Sequence, residues 1–197
     1  MDYLPQFPDK YFELAIVDPP YGIHIEKSGR LKKYNTNNVW DDKPPDKEYF
    51  NELFRVSKNQ VIWGGNYFGL PATKCFLIWD KKQPEDISFA SCEYAWTSFS
   101  TSAKTFYFSP FSDKEKRFHT SQKPIELYDW ILAKYAKRGD KILDTHVGSA
   151  SSLIACYKNG FDYIGYERDP YYYELANKRL EEYKSQITLF DIGLERK

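Results

Sequence analysis

Residues Lys141–Asp169 read KILDTHVGSASSLIACYKNGFDYIGYERD. The stretch opens on a short apolar run, Lys141–Asp144, and breaks at a turn of small residues. Ser149–Lys158 then carries apolar residues at helical spacing and is closed by Asn159–Gly160. A second short run, Asp162–Glu167, follows at once. Strand, helix and strand in so few residues make a crossover unit, and a crossover joins parallel strands. This unit predicts an α/β fold with a mostly parallel sheet and helices on both faces.

The flanks repeat the alternation. Before the unit, Pro124–Lys137 places Leu127, Ile131, Leu132 and Tyr135 on one helical stripe. After it, Pro170–Tyr183 predicts a helix with proline in its first turn, and Tyr171–Tyr173 are expected to pack that helix on the sheet. Further upstream, Glu13–Asp18, Gln60–Gly64 and Cys75–Asp80 are nearly continuous in apolar residues, as strands covered on both faces are. Asp46–Ser57 predicts a helix with Asp46 as its cap. Cys92–Phe99 and Lys104–Phe108 predict two more strands. Ile23–Pro45 and Ser98–His119 remain as long polar loops, which in a compact domain tend to carry function.

Composition narrows the class. The 197 residues suit one domain, and 28 basic against 28 acidic side chains give zero net charge. That balance excludes an obligate polybasic nucleic-acid binder but leaves room for a local basic groove. No apolar run approaches the ~18 residues of a membrane span, and MDYLPQFPDK has no secretory pattern. Three cysteines at wide spacing argue against a disulfide scaffold, so a cytoplasmic protein without membrane contact is expected. The cysteines and the three histidines never fall at metal-ligand spacing, so no metal is expected.

Two strand ends carry unusual chemistry, and in open α/β sheets ligands bind at the carboxyl ends of strands. The first is Asp18-Pro19-Pro20-Tyr21-Gly22, directly after ELAIV. Two prolines fix two φ angles and remove two donors, leaving a rigid corner with a carboxylate, free carbonyl oxygens and a ring. Asp18 and the Pro19 carbonyl can each take one N–H of a planar amine while Tyr21 stacks on the ring that bears it. The alternative is a strand ending in a diproline turn. The second is Asp144–Ser151, where a strand enters a small-residue turn and a helix whose N-terminus is a good anion seat. Glu167, 23 positions after Asp144, ends the next strand and can accept both hydroxyls of a ribose. Only Gly148 is a glycine in that turn, so the loop alone is weak evidence. A third segment, His119–Pro124, supplies hydroxyl, amide and ammonium groups before a helix; it can fix a carboxylate or serve as a polar cap.

Together these residues resemble the DNA amino-methyltransferases that use S-adenosylmethionine, in the circularly permuted beta group where the catalytic half precedes the cofactor half. Asp18–Tyr21 is similar to that family's DPPY motif and Thr120–Pro124 to its TxKP motif. Asp144–Ser151 is similar to its D-P-F-x-G-S-G-T stretch, and Tyr163–Asp169 to its ribose-binding segment. The resemblance implies a Rossmann-like methyltransferase sheet over residues 1–197. It implies a catalytic half at 1–97, a short target-recognition insert at 98–118, a cofactor half at 119–183 and a tail at 184–197.

It further implies Asp18, Pro19, Pro20 and Tyr21 as catalytic residues. For S-adenosylmethionine it implies Asp18, His119, Thr120, Ser121, Gln122, Lys123, Asp144, His146, Gly148, Ser149, Ala150, Glu167 and Arg168. The substrate implied is double-stranded DNA, with adenine N6 favoured over cytosine N4 by DPPY against SPPY. Lys27, Arg30, Lys32, Lys33, Lys104, Lys116 and Arg117 are the basic residues expected at its phosphates. Asn66 and Trp79–Asp80 stand at strand ends expected to line the site. Three departures stand out. His146 replaces a phenylalanine. Ala150 replaces a glycine, so the loop is expected to lose access to positive φ and to bind the cofactor more weakly. A strand expected just before Met1 is missing, either because the start is internal to a longer protein or because Gln186–Asp191 fills its place. Gln186–Phe190 also resembles the peptide by which bacterial proteins bind the sliding clamp. Monomer and homodimer both remain open. So do methylation of an RNA or protein amine, and a non-catalytic DNA- or clamp-binding remnant.

Overall fold

The computed structural model describes residues 3–24, 41–84, 90–110 and 117–194, the last stretch with side chains to residue 186. One seven-stranded sheet contains β1 (Phe12–Val17), β2 (Ser57–Trp63), β3 (Phe76–Asp80), β4 (Cys92–Thr97), β5 (Lys104–Tyr107), β6 (Lys141–Asp144) and β7 (Asp162–Gly165). Four helices accompany it: α1 (Lys47–Val56), α2 (Ile125–Tyr135), α3 (Ser151–Lys158) and α4 (Pro170–Leu194). The strand order is β5-β3-β4-β2-β1-β6-β7, and only β4 runs antiparallel to its neighbours.

The chain leaves β1 through α1 towards β2, and leaves β6 through α3 towards β7, on the other side. Right-handed crossovers in opposite directions place their helices on opposite faces. On one face, Tyr49, Leu53 and Val56 of α1 pack with Ala15, Val17 and Ile62. On the other, Leu127 and Ile131 of α2, Ile154 and Ala155 of α3 and Leu180 of α4 pack with Leu14, Ile16, Val61 and Trp63. β1 therefore sends alternate side chains into two cores, which is why its sequence is apolar without a break.

Local signals account for the helix ends. The Asp46 carboxylate accepts the Tyr49 backbone N–H at 2.8 Å, the N-cap its position predicts. At the other end of α1 the Lys10 ammonium donates to the Phe54 carbonyl at 2.6 Å and the Ser57 carbonyl at 3.1 Å. The Arg55 guanidinium donates to the Phe7 carbonyl at 2.9 Å and the Leu4 carbonyl at 3.3 Å, tying the short 3₁₀ turn at Leu4–Gln6 to α1.

Every predicted strand and helix is present, with some ends shifted. Three differences go further. The last helix does not stop at Tyr183 but continues to Leu194, so Gln186–Asp191 is helical and fills no place in the sheet. Only Tyr172 of the three tyrosines at the start of α4 is buried; Tyr171 and Tyr173 face outward. Ala150 adopts φ 64°, the left-handed conformation that its side chain was expected to forbid. Its methyl group is 1% exposed and packs with Val147 and Ala176, so apolar burial offsets the steric cost.

Candidate active site

The two directions of travel separate between β1 and β6, and such a switch point opens a crevice at the carboxyl ends of the strands. β1 delivers Asp18 to one lip of it and β6 delivers Asp144 to the other. β4, being antiparallel, brings its amino end and Glu93 to the same edge.

The Asp18 corner is heavily braced. The Tyr21 hydroxyl donates to Asp18 Oδ1 at 2.6 Å, and the Lys123 ammonium pairs with Asp18 Oδ2. Burial raises the Asp18 pKa above its ordinary value, against the pull of Lys123. The turn after the prolines is pinned by Asp41, whose Oδ1 accepts the Tyr21 N–H at 2.6 Å and the Gly22 N–H at 2.8 Å. The Tyr21 ring is flanked on one side by Gly64, where an added Cβ would lie 2.1 Å from Tyr21 Cε1. It stacks on Tyr67 with centroids 5.0 Å apart and planes at 15°.

The second lip is a loop held from several directions. Asp144 accepts the His146 N–H at 2.9 Å and the Ser152 hydroxyl. Burial pushes its pKa up to about 7. Glu167 accepts the Gly148 N–H at 2.8 Å and the Asp169 N–H at 2.9 Å, joining this loop to the start of α4. A carboxylate has about four acceptor sites, so Glu167 retains capacity for a ligand's hydroxyls. His146 Nδ1 lies 2.9 Å from Thr145 Oγ1, which in turn lies 2.6 Å from the Tyr49 hydroxyl. Burial lowers the His146 pKa to about 4, so the ring is neutral.

His119 packs beside Gly148 and meets the Tyr172 ring edge-on at 4.3 Å, so the lead-in to α2 touches the same loop. Ser121 Oγ lies 3.2 Å from His119 Nδ1, and Gln122 accepts the Phe118 N–H at 3.2 Å. Thr120 is buried, and its hydroxyl has no hydrogen-bond partner among the described residues. Ser149 Oγ lies 3.1 Å from Ser151 Oγ. Arg168 is exposed.

Lys123 departs from its sequence assignment. Its ammonium belongs to the Asp18 corner, between Asp18 and Glu93, rather than to the loop at the other lip. The basic residues expected at DNA give little here. Lys27, Arg30, Lys32, Lys33 and Lys116 lie outside the described residues. Lys104 sits at the amino end of β5, opposite the edge that holds the crevice. Arg117 donates to the Gln122 carbonyl at 2.8 Å. Sequence reading missed Asp41, Gly64 and Glu93. The glycine pair after QVIW signalled a tight turn, but nothing local marked the two acids.

A crevice at the switch point, with a carboxylate and a ring on one lip and a small-residue loop plus a ribose-distance acid on the other, defines a nucleotide-cofactor group-transfer enzyme of the α/β class. A family model described as DNA methylase matches residues 78–178, which is 101 of the 197 residues, and the chain belongs to that family of N6 and N4 amino-methyltransferases. Among curated relatives, the Type II methyltransferase M2.DpnII of Streptococcus pneumoniae is 26% identical over 167 residues, covering 81% of this chain and 55% of its own length. M2.LlaDCHI of Lactococcus lactis subsp. cremoris is 26% identical over 166 residues, covering 81% of this chain and 54% of its own. The chain thus spans about half the length of these relatives.

Solved structures share the fold. M1.HpyAVI, in its SAM complex, aligns with a TM-score of 0.59 at 20% identity, over 90% of this chain and 91% of that one. PvuII DNA methyltransferase, cytosine-N4-specific, aligns with a TM-score of 0.61 at 12% identity, over 93% and 88%. A DNA modification methylase of Thermus thermophilus, complexed with S-adenosyl-L-methionine, aligns with a TM-score of 0.57 at 21% identity, over 92% and 90%.

Proposed function

We propose that this chain transfers a methyl group from S-adenosylmethionine to the exocyclic amine of a flipped base in double-stranded DNA, with adenine N6 as the target. The observation that carries the reading is the Asp18 carboxylate, fixed beside the Tyr21 ring at the switch point and across the crevice from Glu167. The donor set on the second lip fits the cofactor: the partnerless buried Thr120 hydroxyl, Ser121, the loop from His146 to Ala150, and the Glu167 carboxylate for ribose hydroxyls. When bound there, S-adenosylmethionine supplies an electrophilic methyl group on a sulfonium.

The chain's residues supply the rest. The amine nitrogen is a weak nucleophile because its lone pair is delocalised into the base. Asp18 and the Pro19 carbonyl each hold one N–H and favour a pyramidal nitrogen whose lone pair faces the methyl carbon. These contacts strengthen as positive charge develops on nitrogen, so they stabilise the transition state more than the ground state. The N–C bond forms as the S–C bond breaks, the electron pair stays on sulfur, and the surplus amine proton passes to Asp18 and on to water. The target base must leave the helical stack to reach this corner. The Tyr21 ring is its stacking surface, worth about 1–3 kcal/mol per base. Tyr67 now stacks there and must yield that place.

The test is tritiated methyl transfer to unmethylated DNA and to RNA, followed by nucleoside analysis, with calorimetric titration of S-adenosylmethionine. Asp18→Ala is expected to abolish transfer and leave cofactor affinity within about twofold. A variant that methylates at the wild-type rate overturns the assignment. N4-methylcytosine in the product replaces adenine as the target, and label in RNA replaces DNA.

A further inference from the structure

Behind Asp18 lies a row of charges for which the methyl-transfer reading has no use. The Lys81 ammonium is 2.7 Å from Glu93 Oε1, the Lys123 ammonium is 3.0 Å from Glu93 Oε2, and Lys123 pairs in turn with Asp18 Oδ2. Plus and minus alternate from Lys81 to Asp18, and the four sum to zero. The Lys123 side chain is only 2% exposed, and its ammonium also sits 5.2 Å from the centre of the Trp63 ring. The members come from four separate places: the end of β1, the residue after β3, the start of β4 and the lead-in to α2.

A buried ion pair is a poor stabiliser, because desolvation consumes most of its Coulombic return. Apolar side chains would serve a merely structural purpose as well. The chemistry at Asp18 gives the row a purpose. To hold an amine N–H the acid must be an acceptor on both oxygens, which only the ionised form is. It must also not rotate. Tyr21 on Oδ1 and Lys123 on Oδ2 clamp the carboxylate at both oxygens and leave each one further acceptor site.

We propose that Lys123, anchored by Glu93, holds the Asp18 carboxylate charged and oriented for the target amine, so that Lys123 and Glu93 are positioning residues of the catalytic corner and not part of the cofactor seat. The inference rests on the methyl-transfer reading above. The groups around Asp18 act with different signs. Lys123 and the Tyr21 hydroxyl favour its charge, while burial, Glu93 and, across the crevice, Asp144 oppose it. Tyr128 of α2 faces Asp18 as well. Burial opposes the Lys123 charge, but Asp18 and Glu93 outweigh it and hold the ammonium above its ordinary range. Burial likewise opposes the Glu93 charge, and Lys123 and Lys81 bring its pKa to about 2.

The experiment is a carboxyl titration of the full chain labelled with ¹³C-aspartate, the Asp18 resonance being identified by its loss in Asp18→Asn. Lys123→Met is expected to raise the Asp18 midpoint by at least one pH unit. Glu93→Gln is expected to lower it, since it removes a like charge and gives Lys123 wholly to Asp18. Lys123→Arg is expected to return it towards wild type. The acid limb of methyl transfer is expected to move in the same directions, with the KM for S-adenosylmethionine within twofold. Opposite displacements from two members of one ion-pair row are not produced by general loosening of the fold. Should Lys123→Met not fold, the fall in Glu93→Gln carries the test, and an unmoved midpoint there overturns the proposal. So does an unmoved midpoint in folded Lys123→Met, or a tenfold rise in KM that returns Lys123 to the cofactor. Midpoints that shift as expected in a chain that transfers no methyl group support the clamp and overturn the methyl-transfer reading instead.

Discussion

Gly64 has no side chain because the Tyr21 ring lies where its Cβ would stand, 2.1 Å from Cε1, and its φ of 68° disfavours any other residue. Gly139 has φ 90° but open space around its missing Cβ. The pair separates backbone strain from a blocked ring. Gly64→Ala and Gly139→Ala are each expected to lower stability by about 1–2 kcal/mol. Only Gly64→Ala also displaces Tyr21, so it alone is expected to cut methyl transfer at least tenfold, read beside cofactor affinity. Ala150 is the reverse case. Its left-handed backbone costs about 1–2 kcal/mol. Replacing it with glycine loses a buried methyl worth about 0.8 kcal/mol and adds chain entropy worth about 0.5–1 kcal/mol. Ala150→Gly is therefore expected to change stability by less than about 0.5 kcal/mol in urea denaturation. The departure from glycine at this loop is nearly neutral, which is how the fold tolerates it.

The element that links the two lips is the loop between β6 and α3, and its chemistry responds to pH. His146 takes up its proton near pH 4 in the fold and near 6.5 when unfolded. Unfolding therefore binds a proton between those values, and stability falls as the pH drops from 6.5 to 4. His146→Phe is expected to remove roughly 1–3 kcal/mol of that acid loss, seen by comparing denaturation at pH 7 and pH 4.5 with wild type. Asp144 acts with the opposite sign. Its pKa is about 7 in the fold and near 4 unfolded, so its contribution declines as the pH rises between them. Burial is the cause in both residues. β4 shows how an element serves the site through its direction: only an antiparallel strand can bring its first residues, and hence Glu93, to the edge where its neighbours end.

At the scale of the molecule, zero net charge forces any DNA affinity to come from a local basic surface. Lys27, Arg30, Lys32 and Lys33 follow the DPPYG corner with no acid between Lys27 and Lys33. Replacing all four with alanine is expected to weaken DNA binding and to reduce the slope of log affinity against log salt by up to about 4. An unchanged slope removes these residues from the phosphate contacts. Asp18 chemistry should be unaffected once DNA is saturating.

The order of strands and helices was readable along the chain, because continuous apolar runs, helical stripes and an N-cap are local consequences of burial and backbone hydrogen bonding. The two lips were readable for the same reason. Asp18–Gly22 and Asp144–Ser151 are contiguous, and each follows its own strand. The bracing between them was not. Asp41 reaches back twenty residues to the Tyr21 turn, and Glu93 and Lys123 meet Asp18 only because β4 is reversed and α2 begins above the crevice. Lys123 reads as an anion-binding lysine in sequence, since its neighbours there are hydroxyls and amides. In the fold its neighbours are two carboxylates. The alternating α/β pattern and the two reactive strand ends are thus written in the chain itself. Which charges share the buried space behind Asp18 is settled by folding alone, because Coulombic pairing depends on distance in space and leaves no local mark on the chain.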